Sequence, residues 1–236
     1  VLIIAFDTAT PAVTVALHDG SALLACEAAV DSRRHGELLA PAIARVLAEA
    51  GATAADLTSI AVGTGPGPYT GLRVGLVTAQ VLGSALDIPV DGICTLDVIA
   101  AQARSAAGGR PYLVATDARR REVYWARYTA AGERESGPEV SLPAELPAGY
   151  PMAGEGPRLY LTAAPLGEPG DADEPGGGPE LIEPVYPDAR VLAELAAGRR
   201  IRGIPADPPR PLYLRRPDAR EPGKPKRVTP AGAVTR

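Results

Sequence analysis

Lysine is almost missing from this sequence. Only Lys224 and Lys226 occur, and the other 22 basic side chains are arginines. With abundant alanine and 25 prolines, this reads as a bias of the whole chain, so a single arginine carries no functional weight by itself. Cysteine is scarce too: Cys26 and Cys94 lie far apart, without the spacing of a disulfide framework or a zinc site. That usage fits a reducing, cytoplasmic setting. The two histidines, His18 and His35, form no H-E-x-x-H motif. No G-x-S-x-G elbow occurs, so Ser/His/Asp hydrolysis lacks its nucleophile. No apolar run approaches membrane-spanning length. The opening run has no basic flank and is interrupted by Asp7, which argues against a secretory signal. A net charge of −4 gives the chain as a whole no nucleic-acid signature.

What is present is an α/β pattern. At 46% hydrophobic, the 236 residues suffice for one large domain or two small ones. "VLIIAFDTAT" predicts a buried strand ending at Asp7. "AVTVALHDG" and "SALLACEAAV" predict an antiparallel meander with a turn at Asp19-Gly20. Leu38, Leu39, Ile43, Val46 and Leu47 fall at helical spacing before a stop at Gly51. "LTSIAVG" predicts a second buried strand, followed by "GTGPGPYTGLRVG", Gly63 to Gly75, opening a helix. A glycine turn before a helix is a common phosphate site. Here no lysine follows, which excludes a Walker A loop. Pro68 stands where a dinucleotide fingerprint needs its third glycine, and Pro66 and Pro68 remove two backbone donors. Gly71, Gly75, Ala79 and Gly83 instead recur every fourth residue, one row along one helix face, amid Leu72, Val74, Leu76, Val77, Val81 and Leu82. Such a row predicts close helix approach, either by a partner's helix or within this chain.

A helix is expected from Thr95 to about Ala107, and then the opening pattern repeats. "PYLVATDARRREVYWARYTAAGE" again runs strand, Asp, turn, strand, Gly turn, with Asp117 in the place of Asp7. Two such units predict a duplicated architecture, 1–108 and 109–214, with a cleft between them. Asp7 and Asp117 are then candidates to face that cleft, or simple caps of tight turns. "DARVLAELAAGR" predicts a last helix. Pro165 to Pro184 is rich in Pro, Gly and acid and is expected to be mobile. Residues 215–236 form an expected disordered tail; Leu214 to Arg227 carries six basic against two acidic residues, read as solvated, with RNA contact as the alternative.

"IAFDTAT", "GTGPGPYTGLRVG", "DARRREVYWARY" and "PLYLRR", in this order, resemble the TsaB (YeaZ) family over residues 1 to 130 plus the last motif. The resemblance implies a duplicated actin/Hsp70-like fold (ASKHA, RNase H-like) with two subdomains. It implies a non-catalytic subunit in synthesis of tRNA threonylcarbamoyladenosine. The partner is the paralogue TsaD, which transfers threonylcarbamoyl from threonylcarbamoyl-AMP, made by TsaC, to the adenosine beside the anticodon. The ATPase TsaE joins them, and tRNA is met through the complex. The first two helices are the implied interface, for TsaD or for a homodimer without it. That places Leu38, Leu39, Ile43, Gly71, Leu72, Val74, Gly75, Ala79 and Gly83 at the partner surface, and Asp7, Thr8 and Asp117 in a degenerate nucleotide cleft. Thr95 and Ile99 occupy the places of TsaD's His-x-x-x-His metal pair, and neither replaces imidazole. No metal or tightly held cofactor is expected, beyond weak nucleotide binding in the complex. A stand-alone ATPase or phosphotransferase of the same fold is the alternative, opposed by the proline-filled loop and by Ala118 where acting relatives carry a glycine-rich hairpin. A metallopeptidase is disfavoured by the missing histidines.

Overall fold

The computed structural model describes residues 1–161 and 179–215. Residues 165–178 of the Pro/Gly-rich stretch and the tail from 216 lie outside the described residues. The chain runs β1 (Ile3–Asp7), β2 (Ala12–His18), β3 (Leu23–Val30), α1 (His35–Glu49), β4 (Ser59–Gly63), α2 (Tyr69–Leu86), β5 (Val90–Ile93) and α3 (Thr95–Ala103). It continues β6 (Tyr112–Asp117), β7 (Val123–Tyr128), β8 (Arg134–Ser141), β9 (Met152–Ala153), α4 (Glu155–Tyr160) and α5 (Ala189–Ile201).

Two sheets form, in the orders β3-β2-β1-β4-β5 and β8-β7-β6-β9. Each starts with an antiparallel meander whose first strand also pairs in parallel with a later one, β1 with β4 and β6 with β9. The internal repeat of the sequence is therefore a repeat of topology. β1 is buried at every position because both its faces are covered, which explains its unbroken apolar run. Alternation sorts its side chains. Ile4 and Phe6 join the core under α1 and α2, with Leu39, Val46, Leu72 and Leu76. Ile3 and Ala5 face α5 with Ala61, Leu192, Ala193 and Ala196. α3 sends Leu96 and Ile99 into the second sheet's core, where Tyr112 and Tyr128 stack at 5.6 Å and donate to Ala100 O and Asp97 Oδ1.

One boundary expected from sequence is corrected. Residues 189–214 fell in the second unit, yet α5 packs on the first sheet. The following segment stays there: Gly92 N–H donates to Asp207 O at 2.8 Å and Leu212 N–H to Thr64 O at 2.9 Å. The reason is steric. The alanine face of α5 matches the small residues on the rear of β1 and β4, and chain order says nothing of which sheet a late helix covers. The Arg199 guanidinium fixes this docking, reaching Asp91 Oδ1 at 2.9 Å and Asp207 Oδ2 at 2.8 Å.

Candidate functional site

The glycine loop and the row behind it turn inward. A Cβ at Gly71 would lie 2.6 Å from Thr8 O, and one at Gly75 2.6 Å from Thr8 Oγ1. A Cβ at Gly83 would collide with Val90, and one at Gly67 with Ala9 O. Ala79 and Leu72 are fully buried in the core. The row thus lets α2 approach the β1–β2 turn, β4 and β5 of its own chain. This corrects the reading of Gly71, Leu72, Gly75, Ala79 and Gly83 as a partner-facing seam. Leu39 is likewise buried at 1% exposure, while Leu38 and Val74 are half-buried.

The outer face of the same helix pair is different. Ala40, Ile43, Ala44 and Leu47 of α1 and Val77, Thr78, Val81 and Leu82 of α2 line an apolar groove. Val77 is 54% and Val81 61% exposed. Among the nine residues expected at the interface, Ile43 alone lines this groove. Ala40/Ala44 and Val77/Val81 are i, i+4 pairs, each a stripe on one side of a helix, a pattern that does not by itself say whether the stripe is buried or exposed.

The expected cleft residues are locked rather than open. Thr8 Oγ1 donates to Gly71 O at 2.8 Å and accepts from Gly75 N–H at 3.0 Å, pinning α2 to the end of β1. Asp7 is fully buried; Oδ1 accepts from Ala9 N–H and Oδ2 from the Thr95 hydroxyl, both at 2.7 Å. Thr95 in turn accepts from Gly65 N–H at 3.1 Å. Burial pushes the Asp7 carboxyl above its ordinary range, against the pull of these hydrogen bonds. A Cβ at Gly63 would strike Asp7 Oδ2, so β4 seals the remaining side of the carboxylate. Ile99 is a core side chain with no donor atom. This arrangement does not fit a magnesium-bound phosphate at Asp7, nor a metal on the Thr95/Ile99 positions.

In the second sheet Asp117 repeats the role of Asp7 at its own turn, accepting from Arg119 N–H at 2.7 Å. It also accepts from Tyr160 OH at 2.7 Å and pairs with Arg119 at 3.3 Å. Asp7 and Asp117 share no hydrogen-bond partner among the described residues. Glu155, which sequence reading missed, is buried beside Asp117; burial raises its carboxyl to about 7, while Asp117 N–H and the Tyr186 hydroxyl pull it down. What the two turns do share is a cavity. Thr8, Thr10, Arg33, His35, Thr70 and Arg119 line it, with His35 Nε2 donating to Thr10 O at 2.7 Å.

Residues 28–164 match the family model of TsaD, tRNA N6-adenosine threonylcarbamoyltransferase. A Mycobacterium tuberculosis protein described only as uncharacterized is 43% identical over 223 residues, covering 92% of this chain and 93% of that one. The Escherichia coli tRNA threonylcarbamoyladenosine biosynthesis protein TsaB is 39% identical over 127 residues, 53% of this chain and 54% of that protein. The match therefore spans about half of TsaB's length. Two solved Pseudomonas aeruginosa structures superpose: a protein "with similarity to peptidase YEAZ" (TM-score 0.74, 30% identity, covering 91% of this chain and 99% of that one) and YeaZ itself (0.70, 28%, 90% and 100%). Among the described residues no helix is long and apolar enough to cross a membrane. The duplicated two-sheet topology, the inward glycine helix and these matches agree: the chain belongs to the TsaB (YeaZ) family, with an actin-like fold.

Proposed function

We propose that this chain is the assembly and activation subunit of a cytoplasmic complex that makes tRNA N6-threonylcarbamoyladenosine. It docks a TsaD-type transferase through the α1–α2 groove and promotes transfer of threonylcarbamoyl to the adenosine beside the anticodon. TsaE joins the assembly, and in the absence of TsaD the same groove pairs two copies of the chain. The observation that carries the reading is the groove itself, with Val77 and Val81 of α2 more than half exposed beside the packed α1. Burying a valine side chain fully contributes about 1.5–3 kcal/mol, so a mating helix pair gains from covering this stripe. Catalysis falls to the partner, because Asp7 is sealed by Gly63 and Thr95 and Ile99 offers no ligand atom. The activation step is then an effect on the partner's conformation or its grip on substrate.

The cavity shared by Thr8, Thr10 and Arg119 favours one second reading, a stand-alone ATPase or phosphotransferase. Two experiments separate them. Light scattering of the purified chain mixed with purified TsaD reads complex formation, expected at a single stoichiometry and at micromolar concentration. Titration with ATP and magnesium reads the alternative, and turnover by this chain alone selects it.

A further inference from the structure

A stacked tyrosine pair sits where α2 begins. The Tyr69 and Tyr213 rings lie 5.3 Å apart at 30°, and the Arg73 guanidinium covers the Tyr69 ring at 3.8 Å while donating to Tyr213 OH at 3.2 Å. Both rings nevertheless stay open to solvent, 46% and 43% exposed. Their positions are fixed from the backbone. Leu212 N–H donates to Thr64 O beside Tyr213, and Arg215 pairs with Glu122 of the β6–β7 turn. That turn carries three consecutive arginines, 119 to 121, at φ 63, 55 and 61. Left-handed backbone is unfavourable for arginine, and strain of this kind is kept where a surface must present side chains in one arrangement. Arg33 and Arg119 both line the cavity, with Pro68 and Thr70. Among the described residues the guanidinium groups of Arg33, Arg73 and Arg121 form no ion pair, although the Arg33 backbone N–H donates to Asp31 Oδ1, whereas Arg119 keeps Asp117 and Arg215 keeps Glu122. One end of an acidic chain is thus locally basic, with aromatic faces in its midst.

We propose that this end of the molecule contacts single-stranded RNA directly. Tyr69 and Tyr213 offer an aromatic platform for an unpaired base, and Arg33, Arg73, Arg119 and Arg121 take the flanking phosphates. The choice of RNA rests on the tRNA-modification reading; stacking on tyrosine beside arginine is how proteins hold unpaired bases. A rigid platform loses little freedom on binding.

The test is fluorescence anisotropy of a labelled anticodon stem-loop RNA with the full chain across a salt series. Three to four phosphate contacts predict a log–log salt slope of about −2 to −3. Tyr213→Leu is expected to weaken binding about tenfold. The surface double variant Arg33→Gln/Arg121→Gln, whose melting temperature is checked alongside, is expected to reduce the slope by about 1.4. No RNA binding at low salt, or variants that bind as the parent does, overturns the RNA face. A chain that binds no RNA yet stimulates TsaD leaves the proposed function standing without it. RNA binding with these slopes but no stimulation of TsaD supports the RNA face and removes the activation reading.

Discussion

Gly75→Ala adds a single methyl group, and the structure gives it nowhere to go. The new Cβ would lie 2.6 Å from Thr8 Oγ1, with Thr8 Cβ and Val62 Cγ2 at 3.7 Å. Thr8 cannot yield freely, because its hydroxyl bonds both Gly71 O and Gly75 N–H. Rotating it away gives up two buried hydrogen bonds to the α2 backbone, about 0.5–1.5 kcal/mol each, and wedging the methyl group in costs about 1–3 kcal/mol more. Alanine returns about 1 kcal/mol through helix propensity. The net loss is about 3 kcal/mol, or about 6–12 °C in Tm for a chain of this size. Val81→Glu is the complement. Val81 is 61% exposed, so its Tm should move little, as surface substitutions within about 0.5 kcal/mol do. In a complex the same carboxylate is desolvated without a partner, costing several kcal/mol. At about 1.4 kcal/mol per tenfold, affinity for TsaD falls about a hundredfold or more. Circular dichroism melting beside a TsaD titration reads both. A Gly75→Ala protein that melts at or above the parent temperature would refute the inward packing of the row. A Val81→Glu protein that binds TsaD at full strength would refute the groove.

Glu155, raised to about 7 from an ordinary 4.5, holds its proton in the folded state. Its contribution is full below about pH 4.5 and is lost as pH rises through about 7, with a limiting slope of about 1.4 kcal/mol per pH unit. Melting curves between pH 5 and about pH 8 should therefore show the parent losing stability relative to Glu155→Gln, and parallel curves would contradict the burial argument. Thr95→Val removes the hydroxyl that steadies Asp7 and orphans Gly65 N–H. Asp7's raised carboxyl then rises further, so the variant's deficit in Tm should widen as pH climbs above the ordinary carboxylate range and through the parent's raised Asp7 value; a pH-independent deficit would refute this. Cys94 is buried, its thiol pushed up to about 12, whereas Cys26 is exposed. A thiol reagent at pH 8 should label only Cys26 in the native protein and both cysteines in denaturant, as mass spectrometry would show.

The fold was legible where periodicity and repetition were strong. β1 and β6 each end in an Asp that accepts its i+2 amide, and the repeated strand–Asp–turn pattern marked both. The glycine row was legible as a close approach, but a row of small residues looks the same whichever partner fills it. Only the positions of Thr8 and Val90 decide the direction. The candidate interface was placed on the glycine row and the apolar residues flanking it on α1 and α2, and flanking positions such as Leu39 and Leu72 are what a chain buries in itself. The exposed stripe of Val77 and Val81 differs from core valine only in what lies across from it, which no single sequence reveals. Glu155 and the Tyr69–Tyr213 pair come together through tertiary packing over long separations, so no local motif announces them.

The most direct measurement of the account is threonylcarbamoyladenosine formation in a reconstituted reaction. It contains TsaD, TsaE, ATP, threonylcarbamoyl-AMP and unmodified tRNA, with and without this chain. The account predicts no modified tRNA from this chain alone, strong stimulation when it joins TsaD, and loss of that stimulation with Val81→Glu. Modified tRNA formed with this chain as the only protein, or stimulation undiminished by Val81→Glu, would contradict it.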